Sequence, residues 1–372
     1  MIADLIIDIH ADALPLEAEW RDLEGRGAVT AFQRYDYVAP LYAAFVRHRR
    51  AEPLVVVVRP ATGAPPLMIL PLCRYRDDGL TVISFADIRV ADYCAPVVDP
   101  GWTIDPEDLR ALWRRIERAL PACDIVRLRK LPDQVGAIAN PLLQLQPLAP
   151  YHVRAHGVPI RHPWVEHAAA AISKKQIGEI RRNARHLAAT GPLAFSFKEA
   201  EPAAETLFET LYDQRTTRFA ALGRNDVIAD PMWAGFYRDL VRGDTAQPYA
   251  RVMSLTAGPA VIACGLGLVH DKAFLLLIPS FDMERFGKYG PGRQLIYQAM
   301  VAFAEEGIGY FDLTIGDEPY KQHFGVDDRI LYEIVRPRSL RGRLHALVWH
   351  AKVGLRQHPR IRARLKRILR HG

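Results

Sequence analysis

A glycine-rich turn in the second half of the chain has the composition of an anion site. Gly290-Pro291-Gly292 stands directly before a helical run, and Arg293 falls in the first turn of that helix. Glycines expose backbone N–H groups, and these converge with the positive end of the helix dipole. The pattern predicts a site for a pyrophosphate, although many α/β units share the order of strand, glycine loop and helix.

A second group of polar residues accompanies the next strand. Asp312 lies between the apolar residues Phe311 and Leu313, and Tyr320-Lys321 follows shortly after. A carboxylate at Asp312 could orient or deprotonate an acceptor, or it could tie down the turn at the following glycine. The Tyr-Lys pair could act on a substrate, or it could be a packed ring beside a solvated ammonium.

Alternating strands and helices must position these groups. In the first half, hydrophobic patterning predicts strands at 54–58, 67–72 and 124–128, and a helix over 102–120 that begins at Asp105-Pro106. In the second half, Ser173 with Gln176 is typical of a helix start. Further elements are predicted there: strands at 193–197 and 274–278, a helix over 202–221, a hairpin over 251–269, a helix over 293–307 and a strand at 310–315.

The order of these elements resembles the GNAT superfamily, and within it the BioF2-like or CelD-like acetyltransferases associated with cell-surface polysaccharide synthesis. The resemblance covers most of residues 15–335 and is strongest over 270–325. The segments that carry it are YGPGRQL (289–295), FDLTIG (311–316), Pro319-Tyr320-Lys321 with Phe324, RRNARHL (181–187), DYCAP (92–96) and the pair Phe32-Gln33.

The resemblance implies an α/β (α+β) fold with tandem GNAT-like domains, each a mixed, mostly antiparallel sheet flanked by helices. The helix–strand pairs at 109–128 and 293–315 are consistent with such a duplication. The expected domains are a degenerate GNAT-like domain at 1–135, a Pro-rich connection at 136–163, a GNAT domain at 164–335 and a basic helical tail at 336–372.

The same resemblance implies acetyl-CoA or another acyl-CoA as co-substrate. No metal is expected, because no metal-ligand spacing stands out in the sequence. Gly287 stands where the usual pyrophosphate loop carries Gln or Arg. From their side chains, Lys321 could bind the developing oxyanion or an acidic acceptor and Tyr320 could protonate a thiolate, and the resemblance favours a functional role for Lys321. The predicted site has catalytic residues Asp312, Tyr320 and Lys321, cofactor-binding residues Ile278, Tyr289, Gly290, Gly292 and Arg293, and substrate-binding residues Asp92 and Tyr93.

The expected function is acyl transfer, most simply acetyl transfer, to a hydroxyl or amine of an envelope saccharide or its precursor. One alternative is a FemAB-like aminoacyl transferase that uses aminoacyl-tRNA. Such enzymes usually carry a long helical hairpin, for which the sequence shows no room between 200 and 245. Another alternative is a catalytically degenerate GNAT fold that binds a partner of a polysaccharide synthase.

Composition points to a cytoplasmic protein, peripheral at the inner membrane face if its tail binds lipid. The four cysteines are scattered without a CxxC pair, so reduced thiols are expected rather than a disulfide framework or a zinc site. The sequence shows no signal peptide and no long apolar span. Twelve Lys or Arg and no acidic residue lie in 334–372, so the net charge of +7 leaves −5 for residues 1–333. A nucleic-acid partner is therefore not expected.

The tail itself predicts an amphipathic, cationic helix pair. One face of 340–355 carries Leu340, Leu344, Leu347, Ala351 and Leu355, with Arg341, Arg343, Lys352 and Arg356 around it. After Pro359, apolar residues at 361, 365, 368 and 369 alternate with six Lys or Arg over 360–370. The pattern indicates contact with an anionic membrane, or else a helix docked on the second domain with a solvated basic face.

Overall fold

The computed structural model describes residues 4–198, 202–243 and 249–357, which form two compact units. The first unit holds the chain up to Gln33, Arg49–Tyr151 and the chain from Leu331 onward. The second holds Arg34–His48 and His152–Ile330. The units therefore differ from the contiguous domains expected from the sequence, because an early helix packs in the second unit and a late strand pairs in the first.

The first unit is built on a mixed sheet in the order β1-β2-β3-β4-β6-β17-β9, with β5 paired to β3. Adjacent strands in this sheet are antiparallel, except for β4 and β6, which are parallel. The strands are β1 (Ile6–His10), β2 (Glu52–Arg59), β3 (Met68–Asp77), β4 (Leu80–Phe85), β5 (Val97–Val98), β6 (Ile125–Leu131), β9 (Leu148–Pro150) and β17 (Tyr332–Pro337), with a separate small hairpin of β7 (Gln134–Val135) and β8 (Ile138–Ala139). The helices are α1 (Glu17–Arg26), α3 (Pro106–Ala119) and α10 (Leu340–Gln357).

The second unit has a seven-stranded sheet in the order β11-β12-β13-β14-β15-β10-β16. Here β14 and β15 are the parallel pair, and the other neighbours are antiparallel. The strands are β10 (Ala155–Pro159), β11 (Leu193–Lys198), β12 (Ala250–Ala257), β13 (Ala260–His270), β14 (Ala273–Phe281), β15 (Tyr310–Ile315) and β16 (Asp327–Arg329). The helices are α2 (Tyr35–Arg47), α4 (Trp164–Ala171), α5 (Lys174–Ala188), α6 (Pro202–Ala221), α7 (Pro231–Arg242), α8 (Met283–Phe286) and α9 (Pro291–Glu305).

The two sheets repeat one topology, which confirms the expected tandem. Each has an antiparallel meander, a crossover helix (α3 or α9), a strand parallel to the last meander strand, and then a strand antiparallel to that one. The two sheets also share an irregularity in strand pairing, which is a more specific similarity than the topology. Pairing skips one residue between Leu128 and Leu131 of β6, and likewise between Asp312 and Ile315 of β15.

Each skipped stretch contains a residue with left-handed backbone. Lys130 has φ 57° and Thr314 has φ 59°. A β-bulge that recurs at the same place in both sheets is an expected trace of duplication, because bulges persist when sequences diverge. The equivalence also places Leu128 of the first sheet at the position of Asp312 in the second.

Several elements form for the local reasons that the sequence indicated. Asp105 caps α3 by accepting from the N–H groups of Glu107 and Asp108, each at 2.9 Å. Ser173 Oγ caps α5 by accepting from Gln176 N at 3.3 Å. The strand predicted at 274–278 is the central strand of its sheet. All four cysteines are free, and burial raises the pKa of the Cys73 thiol to about 12.

The tail helix α10 packs on the first sheet, not on the second domain as the docking alternative expected. Ala346 and Trp349 join a cluster with Val82, Ile125 and Val335. Gly342 lies so close to the backbone that an added Cβ would meet Asp124 O at 1.9 Å. This close approach fixes the start of the helix. The predicted segment 360–370 and the side chain of Leu355 lie outside the described residues.

Candidate active site

A cavity of about 660 Å³ opens in the second unit where β14 and β15 diverge. The two strands pair only from Ala273↔Tyr310 to Leu275↔Asp312. Past that point Thr314 Oγ1 still donates to Leu276 O at 3.2 Å, and the cavity lies beyond. Its volume is typical of a small-molecule site. Strand termini, the loop before α9 and one face of α6 form its walls.

The glycine loop forms one wall of this cavity. Gly290 has left-handed backbone (φ 61°) and begins α9, where no side chain caps the helix. Gly292 faces the ring of Phe281, because an added Cβ there would lie 3.2 Å from Phe281 Cδ1. The guanidinium of Arg293 donates to Glu179 Oε1 of α5 at 2.7 Å. Gly290, Gly292 and Arg293 thus lie together as predicted, but the charge of Arg293 is already paired.

Helix α6 supplies cations that the sequence interpretation missed. Arg215 is committed to Asp226 and to Pro279 O, the latter at 2.9 Å. Arg218 lies half-buried with its guanidinium carbon 4.2 Å from the centroid of the Phe281 ring, and it has no carboxylate partner among the described residues. Burial, and next the charge of Arg215, lower the pKa of Arg218. The Asp226 carboxylate acts in the opposite direction, but it is bound to Arg215. A partly desolvated cation without an ion pair of its own can stabilise an anion.

Arg224, just past the end of α6, adds a second guanidinium. It is exposed, lines the same cavity, and forms no side-chain ion pair with any described residue. Among the cations of the cavity wall, Arg218 and Arg224 are therefore the two that the described part of the chain leaves uncompensated. Only folding reveals this, since arginines on a helix usually face solvent.

Tyr320 lines the cavity. Its hydroxyl has no hydrogen bond to any described residue. Burial is the main cause that raises the pKa of Tyr320 well above its usual range, and the nearby Glu318 carboxylate adds to it. Arg215 and Arg218 act in the opposite direction. The phenol is thus neutral at physiological pH and has a proton available to donate.

Lys321 also lines the cavity, but its ammonium is fully engaged. Its Nζ donates to Ile315 O at 2.9 Å and to Thr314 O at 3.3 Å, and it lies 3.0 Å from Glu318 Oε2. An ammonium has three donors, and three acceptors surround this one. The contacts hold the end of β15 in place. Binding of an oxyanion by Lys321, which stays a prediction, would require one of them to break.

Asp312 lies behind the cavity wall, in the bulge of β15. Its Oδ1 accepts from Thr314 N at 2.7 Å, and its Oδ2 accepts from Arg329 at 2.5 Å. The carboxylate thereby stabilises the left-handed backbone of Thr314, and it is buried. This geometry supports the structural alternative for Asp312, while its catalytic role remains a prediction.

Two predicted cofactor residues lie outside the cavity wall. Ile278 is buried and pairs with Leu266 of β13, although Leu277 and Pro279 on either side of it do line the cavity. The Tyr289 ring stacks on His186 with ring centroids 5.5 Å apart. Tyr289 therefore braces the loop against α5.

Asp92 and Tyr93 belong to the first unit, where the two motifs of the first half meet. The Tyr93 ring contacts the edge of Phe32 at a centroid distance of 5.7 Å. The Gln33 amide donates to Tyr93 O at 3.0 Å and accepts from Ala95 N at 3.1 Å. These contacts give both motifs a structural role. A role of Asp92 and Tyr93 in acceptor binding stays a prediction.

The equivalent position in the first sheet carries a buried, hydrogen-bonded lysine. Beside the parallel pair β4 and β6, Lys130 is buried and its Nζ donates to Asp87 Oδ1 at 2.9 Å and to Ala91 O at 2.6 Å. Across residues 4–198, 202–243 and 249–357, no cluster of three or more His, Cys, Asp and Glu side chains could hold a metal ion.

The two sheets define the class of fold, a tandem of GNAT-like units. Residues 174–322 match the family described as Acetyltransferase (GNAT) domain, which spans the glycine loop, the β14–β15 opening and the Tyr320-Lys321 pair. The expectations of a GNAT domain and of an acyltransferase are confirmed by this match. No curated protein matches the chain in sequence.

Solved structures of similar fold extend the likeness to nearly the whole chain. FemX has a TM-score of 0.57 at 10% identity, covering 88% of this chain and 97% of that one. L-PGS from Bacillus licheniformis has a TM-score of 0.54 at 10% identity, covering 92% and 96%. A conserved protein of unknown function from Bacteroides thetaiotaomicron has a TM-score of 0.55 at 10% identity, covering 90% and 100%. Identities this low show a shared fold alone.

Proposed function

We propose that the chain transfers an acyl group, most simply acetyl, from acyl-CoA to a hydroxyl or amine of a cell-envelope saccharide or its precursor. The choice of acyl-CoA as the donor rests on one observation: Arg218 and Arg224, beside the glycine loop, are two cations without an ion pair to a described residue. Coenzyme A is a polyanion, and its pyrophosphate needs charge-assisted donors of this kind. The setting we propose is the cytoplasm, since four free thiols fit a reducing compartment.

Arg218 supplies the positive charge that the glycine loop lacks. Gly287 leaves the loop without its usual Gln or Arg, and Arg293 is held by Glu179. The Arg218 guanidinium reaches the same place from α6, because it lies over the Phe281 ring and Phe281 lies against Gly292. Cation–π contact pre-orients the fork, so little rotamer entropy is lost when an anion binds.

The divergence of β14 and β15 is the place we assign to the thioester. Apolar residues Leu276, Leu277 and Leu313 line this part of the cavity. Such a lining excludes water and favours a pantetheine arm, and the strand backbone beyond the last β14–β15 pair can hold the carbonyl.

Tyr320 supplies the acid. The acceptor oxygen or nitrogen forms a bond to the thioester carbonyl carbon, the carbon–sulfur bond breaks, and the departing thiolate takes the phenolic proton. The proton lost by the acceptor restores the phenol through solvent. The raised pKa keeps the phenol protonated at physiological pH, so its proton is present when the thiolate forms.

The saccharide acceptor rests on the resemblance to the BioF2-like and CelD-like acetyltransferases. The cavity wall is consistent with an uncharged, hydroxyl-rich acceptor, since polar groups such as Thr314 and His323 accompany the arginines. Asp92 and Tyr93 remain proposed acceptor contacts.

Aminoacyl transfer from tRNA is the second candidate, because the fold is similar to that of FemX. Residues 202–242 do form two helices, α6 and α7, where the sequence suggested no room for a helical hairpin. Both helices pack against strands of the second sheet. They therefore belong to the body of the unit and offer no projecting arm.

Calorimetry with acetyl-CoA followed by a thiol-release assay tests the proposal. We expect saturable binding of acetyl-CoA, and release of free CoA when a saccharide acceptor is added. Absence of acetyl-CoA binding would exclude the CoA-dependent reaction and favour the tRNA-dependent one. Binding without release for any hydroxyl or amine acceptor would favour the degenerate, partner-binding fold.

A further inference from the structure

The helix α10 exposes an apolar ridge that nothing described in the structure covers. Leu340, Leu344 and Leu347 are 80%, 67% and 67% exposed, and Val348 is 47% exposed. These four are nearly half of the nine large hydrophobic side chains exposed among the described residues, so they form a cluster and not a scatter. Contiguous exposed apolar surface on a folded protein marks an interaction site.

The ridge lies opposite the face by which the helix is docked. At 3.6 residues per turn, positions 340, 344, 347, 348 and 351 share one side, whereas Gly342, Ala346, Trp349 and Val353 share the other. That second side packs against the first sheet. Docking therefore does not bury the ridge. The helix has two apolar faces, one packed on the first sheet and one exposed.

Cations flank the ridge on both sides. Arg341 and Lys352 lie along one border and Arg343 along the other, and all three are exposed without an ion pair to any described residue. No acidic residue occurs from 334 to 372. An apolar strip bordered by arginine and lysine matches the interfacial plane of an anionic bilayer, where side chains enter the acyl boundary and cations meet headgroups.

We propose that α10 is a membrane-docking element that seats the first unit on an anionic lipid bilayer through Leu340, Leu344, Leu347 and Val348. The helix lies in the plane of the interface and does not cross the membrane. Indeed, within the described ranges no helix combines the length and apolarity needed to span a bilayer. A rigid, docked helix binds without first folding, so it loses no affinity to ordering.

The test is co-sedimentation of the full chain with vesicles of phosphatidylcholine containing phosphatidylglycerol, compared with phosphatidylcholine alone. We expect the chain to pellet with the anionic vesicles and to be released by salt. Leu344→Gln with Leu347→Gln should lower the partition coefficient about tenfold or more, since both side chains leave the acyl boundary. Leu14→Gln, which changes an equally exposed leucine of the first unit, is the matched control and should bind normally.

The contribution of the basic residues beside the ridge to vesicle binding is tested with separate variants. Arg341→Gln with Arg343→Gln should lower partitioning to anionic vesicles about 25-fold, at about a factor of five for each arginine. Arg110→Gln with Arg114→Gln removes two exposed arginines from α3 and should have little effect.

Three results would overturn the proposal. The wild-type chain could stay in the supernatant with anionic vesicles, or the leucine double variant could partition as wild type, which would reduce the binding to electrostatic adsorption. Light scattering could instead show a wild-type dimer that the leucine variant disrupts, without vesicle binding, and the ridge would then be an interface between two copies of the chain.

Discussion

At the scale of single residues, neighbours in sequence serve different purposes in this site. Tyr320 lines the cavity and its hydroxyl has no hydrogen bond to a described residue, whereas the ammonium of Lys321 donates to the backbone at the end of β15. Asp312 stabilises a bulge from behind the wall. We therefore propose Tyr320 as the catalytic residue, while Asp312 and Lys321 hold the backbone around it.

Replacing Tyr320 with phenylalanine tests that assignment. Tyr320→Phe should lower kcat by about a hundredfold, because the leaving thiolate loses its acid, with little change in acetyl-CoA affinity. Tyr212→Phe, on α6 but outside the cavity wall, is the matched control. Steady-state kinetics with calorimetry on the same samples separate the two effects. Equal kcat for Tyr320→Phe and wild type would remove the phenol from the mechanism.

The pH dependence follows from the direction of the shift. Since the pKa of Tyr320 is raised, its acidic form persists past the usual phenol value of about 10. Wild-type kcat should show no decline from this group between pH 7 and about pH 10. A declining limb in that range that is missing from Tyr320→Phe would show that the raised pKa is wrong.

Lys321→Met should act on stability. It leaves the carbonyl oxygens of Thr314 and Ile315 without their donor, so we expect a loss of about 2 kcal/mol in the free energy of unfolding, measured by urea titration. Lys288→Met, an exposed lysine of the glycine loop, should change it by less than about 0.5 kcal/mol. Unchanged stability with a large loss of kcat would instead restore Lys321 to a direct catalytic role.

At the scale of elements, the loop before α9 depends on contacts with its neighbours. Gly292→Val should raise the Kd for acetyl-CoA about tenfold, because the added side chain displaces Phe281 and with it Arg218. Gly292→Ala needs a shift of only a few tenths of an ångström and should bind nearly as wild type. Circular dichroism establishes that both variants fold. Wild-type affinity in a folded Gly292→Val variant would take the loop out of the site.

Breaking the ion pair between α5 and α9 should have the opposite effect on acetyl-CoA affinity. Glu179→Gln frees the guanidinium of Arg293 at the cavity wall, so acetyl-CoA should bind a few-fold more tightly at low salt. The gain should vanish at high salt, since the pair is partly exposed. Weaker binding in Glu179→Gln would mean that Arg293 matters through its position and not through its charge.

Elements with strong local patterns were predictable from the sequence. The caps at Asp105 and Ser173, the central strand β14 and the helix α9 follow from capping residues and hydrophobic spacing. Packing of α2 with α7 in the second unit was not predictable, because nothing local in Tyr35–Arg47 specifies a partner so distant in sequence. The sequence did not single out Arg218 for the same reason. Arg218 has no ion pair because Asp226 is bound to Arg215, and it lies over Phe281, a residue distant in sequence.

At the scale of the whole molecule, duplication has left two versions of one sheet with different contents. In the first, Lys130 forms a buried ion pair with Asp87 beside the parallel strands. In the second, Thr314 stands at the position of Lys130, and the cavity lies beside the parallel strands. A buried ion pair in one copy and an unpaired arginine in the other explain why we place donor binding in the second unit alone.

In the proposed mechanism Arg218 binds the phosphates of acyl-CoA, and one calorimetric comparison tests this contact most directly. Wild type, Arg218→Gln and the control Arg285→Gln, another arginine set over a phenylalanine but outside the cavity, are titrated with acetyl-CoA and with acetyl-pantetheine, which lacks the phosphates. Arg218→Gln should weaken acetyl-CoA binding about tenfold or more and leave acetyl-pantetheine binding unchanged, and Arg285→Gln should match wild type. Identical affinity of Arg218→Gln and wild type for acetyl-CoA, or no binding by wild type, would contradict the account.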